Sequence, residues 1–212
     1  MRSKQPGRDC PFCPRLVSFR QENRQKFPDW HNGPVDSFGD LSARLLIVGL
    51  APGLRGANAT GRPFTGDWAG DLLYGTLIKF GAAAGIYDER PDDGLTLLDC
   101  RITNAVRCVP PANRPTPAEA KACRPFLEDE MAAMPNLKAV LAIGGFAHDA
   151  VLAAKGFKKS AYSFAHGAEH HLPNGLVMVD SYHCSRLNTN TGRLTEDMFH
   201  RVFAQVQNAA RP

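Results

Sequence analysis

No apolar run in this sequence approaches the roughly 18 residues that a membrane helix requires. The first residues, MRSKQPGRDCPFCPRL, hold no apolar stretch of the kind a secretory signal carries. These two absences point to a cytosolic, reducing compartment and to no membrane partner. A large excess of one charge is absent too: 25 Lys and Arg face 21 Asp and Glu, a formal net charge of +4. That balance is compatible with nucleic-acid binding without arguing for it; a local basic groove would count for more. There is no internal repeat and no low-complexity segment. At 212 residues the expectation is a single domain, 1–212, around one sizeable core.

Two phosphate-binding signatures are missing as well. The stretch GLAPGLRGANATG has no G-K-[ST], which excludes a P-loop, and lacks the spacing G-x-G-x-x-G. Cysteine is sparse, six in all, yet four are placed in a pattern. Cys10 and Cys13 form C-x-x-C, and Cys108 and Cys123 follow far downstream with fourteen residues between them. In a reducing compartment such a pair reads as a metal or redox site rather than a disulfide. One soft-ligand site would pin the N-terminal arm to the middle of the chain, and thiolates select zinc or an iron–sulfur cluster. Cys100 and Cys184 have no partner spacing. Cys100 reads as a buried small hydrophobe and Cys184 as a neighbour of the functional site.

Residues 1–40 are polar and rich in Pro and Gly, with a short helical stretch over 15–25; they read as an arm packed on the body. Runs of branched apolar residues predict four strands, over 44–50, 100–109, 138–145 and 176–183. Helices are predicted over 70–84, 117–134 and 146–155, and from Thr195 to about 208. Thr116, Pro117 and Glu119 supply an N-cap, a proline at the first helical position and a capping box. Alternating strands and helices predict an α/β fold, a three-layer sandwich with a central, mainly parallel four-stranded sheet. In such sheets ligands bind beyond the carboxyl ends of the strands.

The chemistry-bearing residues gather at those ends. GRPFTGD places Phe64 and Asp67 in a glycine-rich loop after the first strand. Phe64 offers a flat stacking face. Asp67 could orient a water or stabilise developing positive charge, or cap the next helix. SYHCSRLNTNTGRLT places His183 directly after a strand, opening a polar loop with Arg186 and Arg193. Leu187, alone among polar neighbours, could act as a wedge between bases. Asn104 and Asn113 carry amides that can read a base edge with one donor and one acceptor; Asn113, between prolines, equally suits a turn. The three histidines of HGAEHHL, residues 166–172, fit no zinc spacing and read as surface or structural.

Taken in order, five segments resemble the uracil-DNA glycosylase superfamily, and most closely its family 5, the type-B enzymes. They are CPFCPRLV, FGDLSARLLIVGLAPG, TGRPFTGD, AVRCVPPANRPTP and SYHCSRLNTNTGRLT. Leu50 in GLAPG follows the type-B pattern, where type-A and uracil-crosslinking relatives carry Glu. Asn104 in TNAV matches type A instead, and that amide would narrow preference toward uracil.

The resemblance implies a structural [4Fe–4S] cluster on Cys10, Cys13, Cys108 and Cys123. It implies hydrolysis of the N-glycosidic bond of uracil, and of other deaminated bases such as hypoxanthine or xanthine, in DNA, by a cytoplasmic monomer. Asp67 and His183 would be catalytic. Leu50, Ala51, Gly53, Phe64, Asn104 and Asn113 would bind the base, and Ser185, Arg186, Leu187, Asn188 and Arg193 the DNA. Two other readings stand beside it. One is a non-catalytic damage-binding protein on the same scaffold; the other is a metal-stapled hydrolase of free nucleosides.

Overall fold

A computed structural model describes residues 4–211. The arm carries α1 (Pro14–Lys26), and the body begins with β1 (Leu45–Gly49). The short α2 (Ala57–Thr60) and then α3 (Trp68–Lys79) follow, before a small hairpin of β2 (Ala83–Ala84) and β3 (Thr96–Leu97). Next come β4 (Cys100–Asn104), α4 (Pro117–Ala132), β5 (Ala139–Ile143) and α5 (Gly145–Ala154). The chain ends with β6 (Glu169–His171), β7 (Val177–Ser181), α6 (Arg186–Asn190) and α7 (Glu196–Ala209). The main sheet has the order β4-β1-β5-β7-β6. Its first four strands are parallel and β6 pairs antiparallel with β7.

The central strands β1 and β5 are apolar on both faces because helices cover both. Leu45 and Ile47 of β1, with Leu141 and Ile143 of β5, face α3 and α7. The alternating residues Leu46, Val48, Val140 and Ala142 face α4 and α5. All are buried, and each Leu, Ile or Val among them contributes about 1.5–3 kcal/mol on leaving water. This is the expected three-layer sandwich. Among the described residues no helix is long and apolar enough to cross a membrane.

The sheet has five strands where the sequence predicts four. The extra strand is the edge β6, built from the His-rich segment. Its residues carry no apolar alternation because Glu169 and His171 face outward and the inward position is His170, hydrogen-bonded to buried Asp180 at 2.9 Å. Polar, charged edges discourage pairing with other chains. Several predicted elements are shorter, and two end well before their predicted ends. Helix α3 stops at Lys79, ahead of Gly81 in the left-handed region (φ +68°). Strand β4 stops at Asn104, after which the backbone turns toward the cysteines. Ala105 and Val106 still donate to the carbonyls of Gly49 and Leu50, at 2.9 and 3.1 Å.

The arm is bolted down by Arg107, which is 1% exposed. Its guanidinium donates to Gln5 Oε1 at 2.8 Å, Ser37 Oγ at 2.7 Å and Glu130 Oε2 at 2.9 Å. A buried guanidinium so fully paired fixes where residues on either side of it sit.

Candidate active site

At the carboxyl ends of β1, β4 and β7 lies a cleft of about 600 Å³. Leu50, Ala51, Gly53, Phe64, Asp67, Asn104 and His183 all line it. Asn104 is the last residue of β4 and pairs in register with Gly49. A Cβ at Gly49 would stand 2.5 Å from both Asn104 Oδ1 and Phe64 Cζ, so glycine there makes room for both side chains. Among the described residues the Asn104 amide has no hydrogen-bond partner, which leaves its donor and its acceptor for a ligand.

Phe64 is held at φ +54°, a left-handed backbone that costs a bulky residue of the order of 1 kcal/mol or more. Its surroundings over-determine it. Tyr87 donates its hydroxyl to the Phe64 carbonyl at 3.3 Å, and Tyr74 donates to Pro63 O at 2.6 Å. Arg62, buried, donates to Thr65 Oγ1 at 2.8 Å and forms a bidentate pair with buried Asp93 at 2.7–2.8 Å. The Phe64 ring faces the His183 ring at 6.5 Å and 27°.

Asp67 does two things at once. Its Oδ1 accepts from Ala69 N at 3.1 Å and Gly70 N at 3.2 Å, capping α3. Its Oδ2 has no hydrogen-bond partner among the described residues and points at the GLAPGLRG loop. A Cβ at Gly53 would lie 2.8 Å from that oxygen. Burial pushes the carboxyl above the ordinary carboxylate range, against the pull of the two N–H bonds. A first expected outcome follows. Gly53→Ala has only Asp67 Oδ2 within 3.0 Å of its methyl group, so it displaces that oxygen and little else. Single-turnover activity should fall about 10–100-fold, the scale of a misplaced reacting group, with the melting temperature nearly unchanged. Wild-type turnover in this variant would separate Oδ2 from the chemistry.

His183 is pushed down to about 4 by burial alone, so it is a neutral imidazole at pH 7. Its Nδ1 is buried and has no partner among the described residues. Either tautomer leaves Nδ1 unsatisfied, so the ring nitrogen left to meet a ligand in the cleft is Nε2. Asn188 Nδ2 donates to the His183 carbonyl at 2.8 Å and holds the residue in place.

The segment after His183 is read from sequence as a loop, yet residues 186–190 form the short helix α6. Ser185 caps it by accepting from Asn188 N at 3.4 Å. Ser185 and Asn188 thus brace the segment internally. Leu187 stands out at 72% exposed on the cleft rim. Arg186 lies 5.5 Å over the Trp68 ring, and Trp68 Nε1 donates to Thr189 Oγ1 at 2.7 Å. Trp68 therefore ties α6 to the residue next to Asp67, a role the sequence did not reveal although its position beside Asp67 could have suggested it. Arg193 is outside the cleft lining and stacks on Tyr182 at 4.7 Å. His166 stacks on the same ring at 4.9 Å and accepts from Tyr182 N. Asn113 is exposed at the mouth with φ +54°, while Asn104 is buried at the floor. The two amides are not equivalent, and Asn104 is the one set deep enough to meet a base edge.

Cys10, Cys13, Cys108 and Cys123 line one small cavity between the arm and the body. Cys13 is the N-cap of α1 and Cys123 lies on α4. Arg107 N donates to Cys123 Sγ at 3.3 Å. Burial raises Cys13 to about 11 and Cys108 to about 12. Four soft donors with sulfur-directed N–H groups suit a thiolate-bound metal. Among the described residues the one group of three or more ligand atoms all within 4.8 Å is His148, His170 and Asp180. Cys100 is buried, as expected, and donates to Ala82 O at 3.2 Å. Cys184 is fully buried behind His183, in the core under α7.

A family model described as the uracil DNA glycosylase superfamily matches residues 37–207. A protein of Thermus thermophilus named type-5 uracil-DNA glycosylase is 45% identical over 207 residues, which is 95% of this chain and 94% of that one. A protein of the same name from Mycobacterium tuberculosis is 41% identical over 209 residues, 95% of this chain and 78% of its own. One from Pyrobaculum aerophilum is 40% identical over 202 residues, 93% and 88% of the two chains. With a family match over the whole body and relatives aligned almost end to end, this chain belongs to the uracil-DNA glycosylase superfamily, on its type-5 branch.

Proposed function

We propose that this protein hydrolyses the N-glycosidic bond of uracil in DNA, initiating base-excision repair, and that it accepts other deaminated bases such as hypoxanthine and xanthine. The observation that carries the reading is one cleft holding four complementary groups: the Phe64 face, the unpartnered Asn104 amide, the neutral His183 and the free Oδ2 of Asp67. A base inside a duplex cannot reach such a cleft, so it must be flipped out. Phe64 stacks on it and Asn104 pairs with its edge.

As the bond from C1′ to the base breaks, its electron pair leaves with the base. His183 Nε2–H donates to the carbonyl oxygen where that negative charge collects. Asp67 Oδ2 steadies the cationic sugar and orients a water. The water oxygen bonds to C1′ and gives its proton to Asp67 or to solvent. The departing base anion takes a proton from solvent. Backbone around Ala51 and Gly53, with Leu50, walls the cleft on the water side. Cys10, Cys13, Cys108 and Cys123 would hold a [4Fe–4S] cluster, whose contribution is to fasten the arm to the body.

Leu187 fills the gap left in the stack, with Arg186 on phosphate. Leu187→Ala should then slow single-turnover cleavage of uracil paired with adenine more than uracil in a mismatch or a single strand. Extrusion costs a few kcal/mol and least where no pair exists. Equal loss on all three substrates would make Leu187 a support for His183 and not a wedge. The function itself is tested with end-labelled duplexes carrying uracil, hypoxanthine or xanthine, scored by strand scission after alkali. Cleavage at uracil is required. Cleavage at uracil alone would remove the wider substrate range.

A further inference from the structure

We infer that Arg20 is the built-in cation of the four-cysteine site, a residue that holds and shields the cluster without ligating it. The inference rests on the cluster reading above.

Arg20 lies on the inner face of α1 and is 3% exposed. A guanidinium stays charged in any protein setting, and burying it demands compensation. Three other arginines at 8% exposure or less show what that compensation looks like here. Arg62 pairs with Asp93, and Arg101 and Arg107 both pair with Glu130. Arg20 has no carboxylate within ion-pair distance among the described residues. The nearby Asp9 is taken by Arg24 at 2.6 Å.

What Arg20 does touch belongs to the cysteine site. Nη1 lies 3.7 Å from Cys108 Sγ, and Nη2 donates to the Cys10 carbonyl at 3.1 Å. Nε is buried with no partner among the described residues, in a side chain that lines the cavity shared by the four sulfurs. One sulfur at 3.7 Å and one carbonyl are all this cation meets, and neither is a carboxylate. Four thiolates outweigh the positive charge of the metal they hold, and that net negative charge is what the cavity otherwise lacks. The site thus has a cation waiting for it and a spare N–H inside it. Hydrogen bonds to the sulfurs are among the groups that set the stability and potential of such clusters. The same side chain clamps the C-x-x-C loop onto α1 through Cys10.

The test uses the full chain, reconstituted anaerobically with iron and sulfide, as wild type, Arg20→Met and Arg20→Lys. Iron and acid-labile sulfide are counted per chain. The visible band is then followed under an iron chelator in air, with far-UV circular dichroism as the folding control. Loss of an outer-shell partner typically costs 10–100-fold, so Arg20→Met should bleach about 10–100-fold faster than wild type. Arg20→Lys keeps the charge but not the two-pronged geometry and should fall between them. Arg20→Met with wild-type iron content and bleaching rate would make Arg20 a packing residue and leave the cluster reading intact. If Arg20→Met does not fold, a wild-type bleaching rate in Arg20→Lys overturns the inference equally. Wild type that takes up zinc but no iron and sulfide would overturn the cluster reading and this inference with it.

Discussion

Asp67→Asn should lower single-turnover release of the base by about two to four powers of ten, the usual scale for one positioned catalytic group. Duplex binding and fold should survive. The substitution separates two roles that share one side chain. Oδ1 caps α3 through Ala69 N and Gly70 N, and an asparagine oxygen can accept the same bonds. What asparagine lacks is the charge on the oxygen that faces Gly53. Asp67→Ala removes both roles and should cost about 1 kcal/mol of stability in addition.

The pH behaviour has a definite sign. Burial raises the folded pKa of Asp67 above its unfolded value. The folded state therefore binds more protons in that window, and stability falls as pH rises through it. At neutral pH the ionised carboxylate costs stability, so Asp67→Asn should melt no lower than wild type and slightly higher. Wild-type activity should fall as pH drops through the raised pKa, since the carboxylate form is lost. An active Asp67→Asn enzyme beside an unstable Asp67→Ala would reduce Asp67 to a helix cap.

Cys108→Ser should lose iron and soluble protein together. Cys10 and Cys13 sit on the arm, Cys108 and Cys123 on the body, and the cavity between them is lined by all four. Binding free energy in structural metal sites is folding free energy, about 10–16 kcal/mol for zinc-stapled peptides. That is comparable with the whole stability of a domain, about 5–15 kcal/mol. Arm and body are also tied by Arg107 with Gln5 and Ser37, by the Arg15–Glu119 ion pair, by backbone bonds such as Val35 N to Arg107 O and by Leu16 packed on Val106; the cysteine site adds to these a tie on the scale of the domain's whole stability. Expression of Cys108→Ser with iron content and melting temperature as in wild type would strike Cys108 from the ligand set.

The sheet was legible wherever a strand is buried on both faces. The runs at β1 and β5, and the Val177–Val179 half of β7, are apolar at every position or glycine because helices cover both sides. The starts of α4 and α7 were legible from Thr116 and Thr195, whose side chains accept from Glu119 N and Met198 N at 3.2 Å. Strand β6 was not, because its one inward side chain is a histidine satisfied by Asp180, and that partner lies ten residues on. Helix α6 is one turn held by Ser185, too short to leave a period. Phe64, Asp67, Asn104 and His183 were readable as site residues from their place at strand ends. Their bracing was not: Trp68, Tyr87, Arg62 and Asn188 act through contacts that only the fold creates. Asn113 and Arg193 lie farther out, Asn113 in the cleft lining at its mouth and Arg193 on Tyr182.

The most direct measurement incubates excess protein with a duplex carrying one uracil and quantifies the free base by mass spectrometry, before any alkali. Excision by hydrolysis predicts one free uracil per duplex and an intact strand that breaks only after alkali, with the yield nearly abolished in Asp67→Asn. Duplex bound tightly with no base released, or a strand cut without alkali, would contradict it.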